Sequence, residues 1–291
     1  MNNDKIWSSF PFRDDDIIIA STIKSGTTWL QQIIAQLIFK GEFNKKMNNV
    51  SVWLDTLRDF NEKEIIELVE KQEHRRFLKT HSPASIVLNN RNKNTKYIFI
   101  TRDFRDVVWS FYNHYINSKY VIRENNDFTN SVKRMRNCSN PLEFWNITME
   151  NLDFFKKCNN YKIIWSYFHT IKTWLEHKNN DNILILHFND LKHDLNSNID
   201  KIADFLGYEY DEDIMKTVYK KSTFEWMKRN SKKCAPLPFK NNFSSFINKG
   251  TNKRWKNVLN EDNITKYKNL IKYFFNENEI NWIENGGMLP T

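Results

Sequence analysis

Residues 16–41 read DIIIASTIKSGTTWLQQIIAQLIFKG. Asp16-Ile17-Ile18-Ile19-Ala20 is a short β-branched apolar run, the pattern of a strand covered on both faces. Ser21 to Gly26 is a polar turn. From Thr27 to Lys40 the apolar residues Trp29, Leu30, Ile33, Ile34, Leu37 and Ile38 recur with a helical period, and Gly41 is placed to end the helix. Further strands are predicted at Arg76–Thr80 (closed by Pro83), Lys96–Thr101 and Asn182–His187. Helices are predicted at Glu64–Lys71, from Phe104 to about Tyr120, at Pro141–Cys158, Tyr161–His177 and Leu195–Leu206, the last stopped by Gly207. Strand alternating with helix implies an α/β fold with a central parallel sheet flanked by helices on both faces. No repeat or long linker interrupts residues 1–291, so one domain is expected. Its last stretch is helical or irregular, with a loop from Ser231 to Arg254.

Composition narrows the function classes. The chain has 291 residues, 40% hydrophobic and 15% aromatic, enough for a large core and incompatible with global disorder. No apolar run reaches the ~20 residues of a membrane span; WLQQIIAQLIF is broken by Gln31, Gln32 and Gln36. The opening MNNDKIWSSF shows no cationic segment followed by an apolar stretch, so no signal peptide is expected. Cys138, Cys158 and Cys234 have neither paired nor metal-like spacing and read as free thiols. A cytoplasmic protein is expected. The net charge of +9 comes from 44 basic against 35 acidic residues. These are dispersed, the clusters Lys45-Lys46, Arg75-Arg76 and Lys232-Lys233 being too short for a nucleic-acid arm. Abundant Asn, Lys, Ile, Phe and Tyr point to an AT-rich coding sequence as the source of the basic balance.

In open parallel sheets ligands bind beyond the carboxyl ends of the strands. Three polar groups fall there: Lys24-Ser25-Gly26-Thr27-Thr28, Lys79-Thr80-His81, and Arg102-Asp103. The first supplies helix-start N–H groups, two Thr hydroxyls and a Lys, a set suited to a phosphate-like anion. It is not a Walker A loop, because Lys24 precedes Gly26 and position 20 is Ala.

Lys24-Ser25-Gly26-Thr27-Thr28-Trp29 resembles the P-loop-like phosphosulfate-binding loop of the cytosolic-type sulfotransferases, which use 3′-phosphoadenosine 5′-phosphosulfate (PAPS). Three more stretches match in order. Arg76 to Pro83 resembles the strand carrying the family's catalytic Lys and His. Tyr97 to Tyr115, with Arg102, Asp103 and Val108 to Tyr112, resembles its 3′-phosphate site. Phe246 to Gly250 with Trp255-Lys256 resembles its C-terminal nucleotide loop. Asp14 to Ile19, Val52-Trp53-Leu54-Asp55 and His74 to Phe77 look closest to bacterial members acting on lipid or small-molecule alcohols.

The resemblance implies sulfuryl transfer from PAPS to a hydroxyl or amine, leaving 3′-phosphoadenosine 5′-phosphate (PAP), with no metal required. It implies His81 as general base, with Lys24 and Lys79 stabilising the transferring and leaving groups. Ser25, Gly26, Thr27 and Thr28 would hold the 5′-phosphosulfate. Arg102, Ser110 and Lys249 match the 3′-phosphate ligands, and Gly250 a close backbone approach. Trp29 and Phe224 match the adenine sandwich, beside Ser222, Thr223 and Met227. The remaining histidines, at 74, 114, 169, 177, 187 and 193, lack the context of His81. Two departures stand out. Asn248 occupies the position of the family's Arg before Lys-Gly, and Lys253 and Arg254 are candidates to compensate. Phe188 stands where the family has a Tyr. The family's dimerisation pattern is absent after Trp255-Lys256, which leaves a monomer or an unassigned oligomer.

The acceptor, a small-molecule or lipid alcohol, is expected beside His81, between segments 112–120 and 141–168 and under loop 231–248. Two rivals remain open at this level. A nucleotide kinase would need Mg²⁺, with Asp190 as its ligand. A non-catalytic nucleotide- or nucleic-acid-binding module would use the basic charge.

Overall fold

A computed structural model of the chain describes residues 6–55, 61–89, 94–117, 133–158, 167–236 and 243–290, with the backbone alone over 151–158. Four strands, β1 (Ile17–Ser21), β2 (Phe77–Thr80), β3 (Lys96–Thr101) and β4 (Ile183–His187), form one parallel sheet in the order β2-β1-β3-β4. The principal helices are α1 (Thr27–Ile38), α2 (Glu62–Glu70), α3 (Phe104–Asn117), α4 (Pro141–Cys158), α5 (Tyr167–Leu175), α6 (Phe188–His193), α7 (Leu195–Leu206), α8 (Glu212–Ser222), α9 (Phe224–Arg229), α10 (Glu261–Lys272) and α11 (Glu277–Asn285).

Side-chain alternation along β1 builds two cores. Ile17 and Ile19 join Ile33, Ile34 and Leu37 of α1 and Leu184 and Leu186 of β4 on one face. Ile18 and Ala20 face Phe99, Phe104, Trp174 and the C-terminal Tyr267 and Trp282 on the other. Each fully buried Ile contributes about 1.5–3 kcal/mol, which is why so apolar a strand sits in the middle of the sheet. The glutamines that interrupt the apolar run of α1 are buried as donors. Gln31 Nε2 reaches Ser51 Oγ at 2.8 Å, and Gln32 Nε2 reaches the Lys221 carbonyl at 3.0 Å.

Register is pinned at the sheet's lower edge. Arg76, its side chain wholly buried, donates from Nε to Asp16 Oδ1 (2.6 Å), from Nη2 to Asp16 Oδ2 (2.5 Å) and from Nη1 to Glu70 Oε1 (2.6 Å). This fork holds the start of β2 against the start of β1, where Ile17 pairs with Phe77. On the outer side of β2, Lys79 N–H donates to the Val52 carbonyl and Leu54 N–H to the Lys79 carbonyl. That pairing brings Trp53 and Asp55 to the upper end of the sheet.

The strands and α7 fall within a residue of expectation. α1 ends at Ile38, two residues short of the predicted Lys40; Lys40 and Gly41 both turn left-handed there, and Gly41 N–H bonds the Gln36 carbonyl. α3 is described to Asn117 and α5 from Tyr167, so predicted positions 118–120 and 161–166 lie outside the described residues. The predicted loop 231–254 instead contains a short helix, Ser231–Cys234, and a 3₁₀ turn at Phe243–Ser245. Among the described residues no helix is long and apolar enough to cross a membrane. In the order β2-β1-β3-β4 the crossover from β1 runs toward β2 and that from β3 toward β4, and their divergence opens a crevice above the ends of β1 and β3.

Candidate active site

The loop between β1 and α1 fills the bottom of that crevice. Lys24 and Gly26 both take left-handed backbone, at φ 59° and 112°. A Cβ on Gly26 would come within 3.0 Å of the Phe188 ring, so only glycine lets the turn pack there. Gly26 is also the N-cap of α1 and brings no side-chain cap, leaving the helix-start N–H groups for another acceptor. The hydroxyls stitch the loop together: Ser21 Oγ lies 2.6 Å from Thr27 Oγ1, and Thr22 Oγ1 lies 2.5 Å from Ser25 Oγ.

Lys24 points into a knot of basic groups. Its Nζ sits 4.5 Å from the Phe246 ring centroid and 3.4 Å from His114 Nδ1, within hydrogen-bond reach. Burial, reinforced by the charges of Lys79 and Arg102, pulls its pKa down to about 7. Lys79 lies over the Trp53 ring, 4.4 Å from its centroid.

His81 is held from two sides. Its Nδ1 is 2.9 Å from the Ser21 carbonyl, which can only accept, so Nδ1 carries the proton and Nε2 keeps its lone pair. Its backbone N–H donates to Asp55 Oδ2 at 2.6 Å. Asp55 also accepts from the Trp7 indole, the Trp53 indole and the Thr80 hydroxyl. The imidazole packs edge-on against Trp53, 5.3 Å away. Burial first, then the Lys79 charge, lowers its pKa to about 3; the bond to the Ser21 carbonyl opposes this, and the more modest Lys24 charge adds to it. At neutral pH it is an uncharged base.

On the far side of Lys24 a recess is lined by Arg102, Asp106, Trp109, Ser110, Asn113, His114, Phe246, Asn248, Lys249, Gly250 and Arg254. Arg102 lies 4.2 Å over the Phe188 ring and donates from Nη2 to the Thr251 carbonyl and Asn252 Oδ1, while its buried Nε has no partner. Tyr167 fixes the Arg102 backbone by donating its hydroxyl to the carbonyl there. Next to the recess, Trp29, Phe224, Met227, Phe246 and Ile247 form a small aromatic cluster. Trp29 Nε1 donates to the Ser222 carbonyl at 2.7 Å, and Ser222 Oγ is buried without a partner. At Gly250, φ 62°, a Cβ would meet the Phe224 ring at 3.0 Å. The unpaired Arg102 Nε, the orphaned Ser222 hydroxyl and the uncapped α1 suit a ligand with two anionic groups and a flat, polar-edged ring.

The four sequence motifs therefore meet around one crevice. Thr223 is the exception in detail: its hydroxyl accepts from Trp226 N–H to cap α9 and donates to the Lys220 carbonyl. His114 lacks the strand-end context of His81 and yet lies against Lys24, because four residues separate it from Ser110 on α3 and both face the recess. Asp55 carries no local signal of its role: the donors it gathers from Trp7 and Thr80 are long-range products of the fold. Of the expected acceptor walls, 118–120, 159–166 and 237–242 lie outside the described residues.

Residues 14–279 match the family model described as the sulfotransferase domain. The amine sulfotransferase of Oryctolagus cuniculus is 27% identical over 90% of this chain and 81% of its own length. The glycolipid sulfotransferase of Mycobacterium tuberculosis (strain ATCC 25177 / H37Ra) is 25% identical over 96% and 91%. Among solved structures, mouse sulfotransferase SULT7A1 complexed with PAP superposes with a TM-score of 0.68 at 20% identity, covering 93% of this chain and 88% of that one. Retinol dehydratase in complex with androsterone and inactive cofactor PAP gives 0.69 at 21%, covering 92% and 83%.

Proposed function

The chain belongs to the sulfotransferase family, and we propose that it transfers a sulfuryl group from PAPS to a hydroxyl or amine of a small-molecule or lipid acceptor. The observation that carries this reading is that Lys24, Arg102, Ser110, Lys249 and Gly250 line one cationic recess beside an uncapped helix start, with Lys79 acting on Lys24 and His81 bound to Ser21 at the same loop. Bound PAPS supplies the activated sulfuryl group and departs as PAP. Ser25, Gly26, Thr27 and Thr28 offer backbone N–H groups and hydroxyls to the 5′-phosphosulfate, as helix starts do for anions. Arg102, Ser110 and Lys249 hold the 3′-phosphate, with Asn248 adjoining. Trp29 and Phe224 flank the adenine, with Ser222, Thr223 and Met227 at its edge and Gly250 allowing the loop to approach.

His81 takes the acceptor proton at Nε2, oriented by the Ser21 carbonyl on its other nitrogen. Lys79 steadies the sulfuryl oxygens, and Lys24, as an ammonium, stabilises the charge that grows on the departing phosphate. Sulfuryl carries less charge than phosphoryl, so positioned cations suffice for this task. The names of the relatives above, an amine and a glycolipid sulfotransferase, support an organic small-molecule or lipid acceptor. We assign one domain to the whole chain and a cytoplasmic setting. The kinase reading fares worse: the Asp190 carboxylate it requires accepts from Gly287 N–H at 2.8 Å.

Titration calorimetry with chelator tests the donor site. PAP should bind without metal, and ATP with Mg²⁺ should not compete with it. Binding of ATP with Mg²⁺ while PAP stays silent would replace this reading with the kinase.

A further inference from the structure

We propose that Arg254 is a 3′-phosphate ligand of this enzyme, supplying the guanidinium that Asn248 does not. This rests on the donor reading above. The recess brings four cationic side chains, Lys24, Arg102, Lys249 and Arg254, against the single carboxylate of Asp106. Of the arginines near it, Arg105 is already spent, bound to Asp103 and Glu284 at 2.8 and 3.0 Å. Arg102 commits Nη2 to Thr251 and Asn252, and its buried Nε has no partner. Arg254 is different. Among the described residues its side chain makes no ion pair and no hydrogen bond, yet it lines the recess, with its guanidinium 4.8 Å from the Trp109 ring centroid. A guanidinium lying over an aromatic face keeps its edge N–H groups available to a phosphate.

The backbone explains why Arg254, and not its neighbour, takes this place. Lys253 adopts left-handed backbone at φ 63°, and its N–H donates to Asp106 Oδ1 at 2.7 Å. That bond ties the loop to α3 one turn before Ser110. Residue 254 is thereby turned inward while the Lys253 side chain stays exposed. Trp109 adds a second donor, since its indole N–H is buried in the same wall and has no partner. Asn248, by contrast, engages the nearby surface through its carbonyl, which accepts from Lys228 Nζ at 2.8 Å. The positive charge has moved along the loop, six residues from where the family resemblance puts it.

The test compares PAP with adenosine 5′-phosphate, which lacks the 3′-phosphate, by calorimetry on the purified chain. Arg254→Ala should weaken PAP by roughly ten- to a hundredfold, as expected for charge-assisted hydrogen bonds, while 5′-phosphate binding changes by less than about twofold. Arg254→Lys should fall between, keeping the charge and losing the fork. Asn248→Arg in the Arg254→Ala background should recover part of the loss. Equal loss for both nucleotides would overturn the assignment, because it would reveal a structural role on Trp109. So would unchanged PAP affinity. Should Arg254→Ala melt early, Arg254→Gln carries the same comparison with the stacking retained. A wild-type chain that binds no PAP would overturn the donor reading itself; a wild-type that binds PAP beside an indifferent Arg254→Ala overturns only this inference.

Discussion

The protonation of Lys24 offers a quantitative check on the site. Its pKa is held near 7 by burial and by the charges of Lys79 and Arg102. Only the ammonium form suits an anionic ligand, so the competent population halves at pH 7 and falls to about a tenth at pH 8. The sign follows: a lysine with a lowered pKa is charged below 7 and neutral above, and an anion that needs it charged must draw a proton in. PAP affinity should therefore weaken by about tenfold per pH unit above pH 7, and binding at pH 8 should take up about 0.9 proton. Calorimetry in buffers of different ionisation enthalpy measures that uptake directly. The range from pH 7 to 8.5 is the useful one, because phosphate second ionisations near pH 6 are then nearly complete. Lys24→Met should abolish the uptake, and Lys24→Arg should bind with little dependence on pH. Heats that do not change with the buffer, or the same uptake in Lys24→Met, would refute the reasoning.

Three other perturbations probe separate parts of the account. His81→Asn should cut turnover by roughly 10²–10⁴-fold and leave the PAP dissociation constant nearly unchanged, which steady-state rates and calorimetry on the same preparation would separate. Gly250→Ala places a Cβ 3.0 Å from Phe224 at φ 62°, so melting and PAP titration should show about 1–2 kcal/mol of strain and weaker nucleotide binding. Arg76→Ala strands Asp16 in the core, and urea unfolding should register a loss of about 3–5 kcal/mol. Replacing both partners, Arg76→Met with Asp16→Leu, should recover most of it.

The sheet was legible because its strands are covered on both faces, which leaves unbroken runs such as Ile17-Ile18-Ile19 in the chain. The anion loop was legible because Gly26 must turn left-handed where few residues can. What the sequence hid depends on distance or on a single torsion. Asp55 gathers donors from Trp7, Thr80 and His81, up to 48 positions away, and no local pattern announces that. His114 was recoverable in principle, since the Ser110 to His114 spacing puts both on one face of a helix. The choice between Lys253 and Arg254 was not, because it turns on the left-handed backbone at 253 and its bond to Asp106. The short helix α6 was missed for a different reason. It follows β4 without an intervening loop, capped by the buried His187 side chain accepting from Asn189 N–H.

The most direct measurement follows the sulfur itself. Sulfur-labelled PAPS is incubated, with chelator present, alongside a panel of phenols, sterol-like alcohols, amines and glycolipids. Label should appear in at least one organic product with the wild-type chain and fall to background with His81→Asn and with Lys24→Met. Label released only as inorganic sulfate, or transfer that survives both substitutions, would contradict the account.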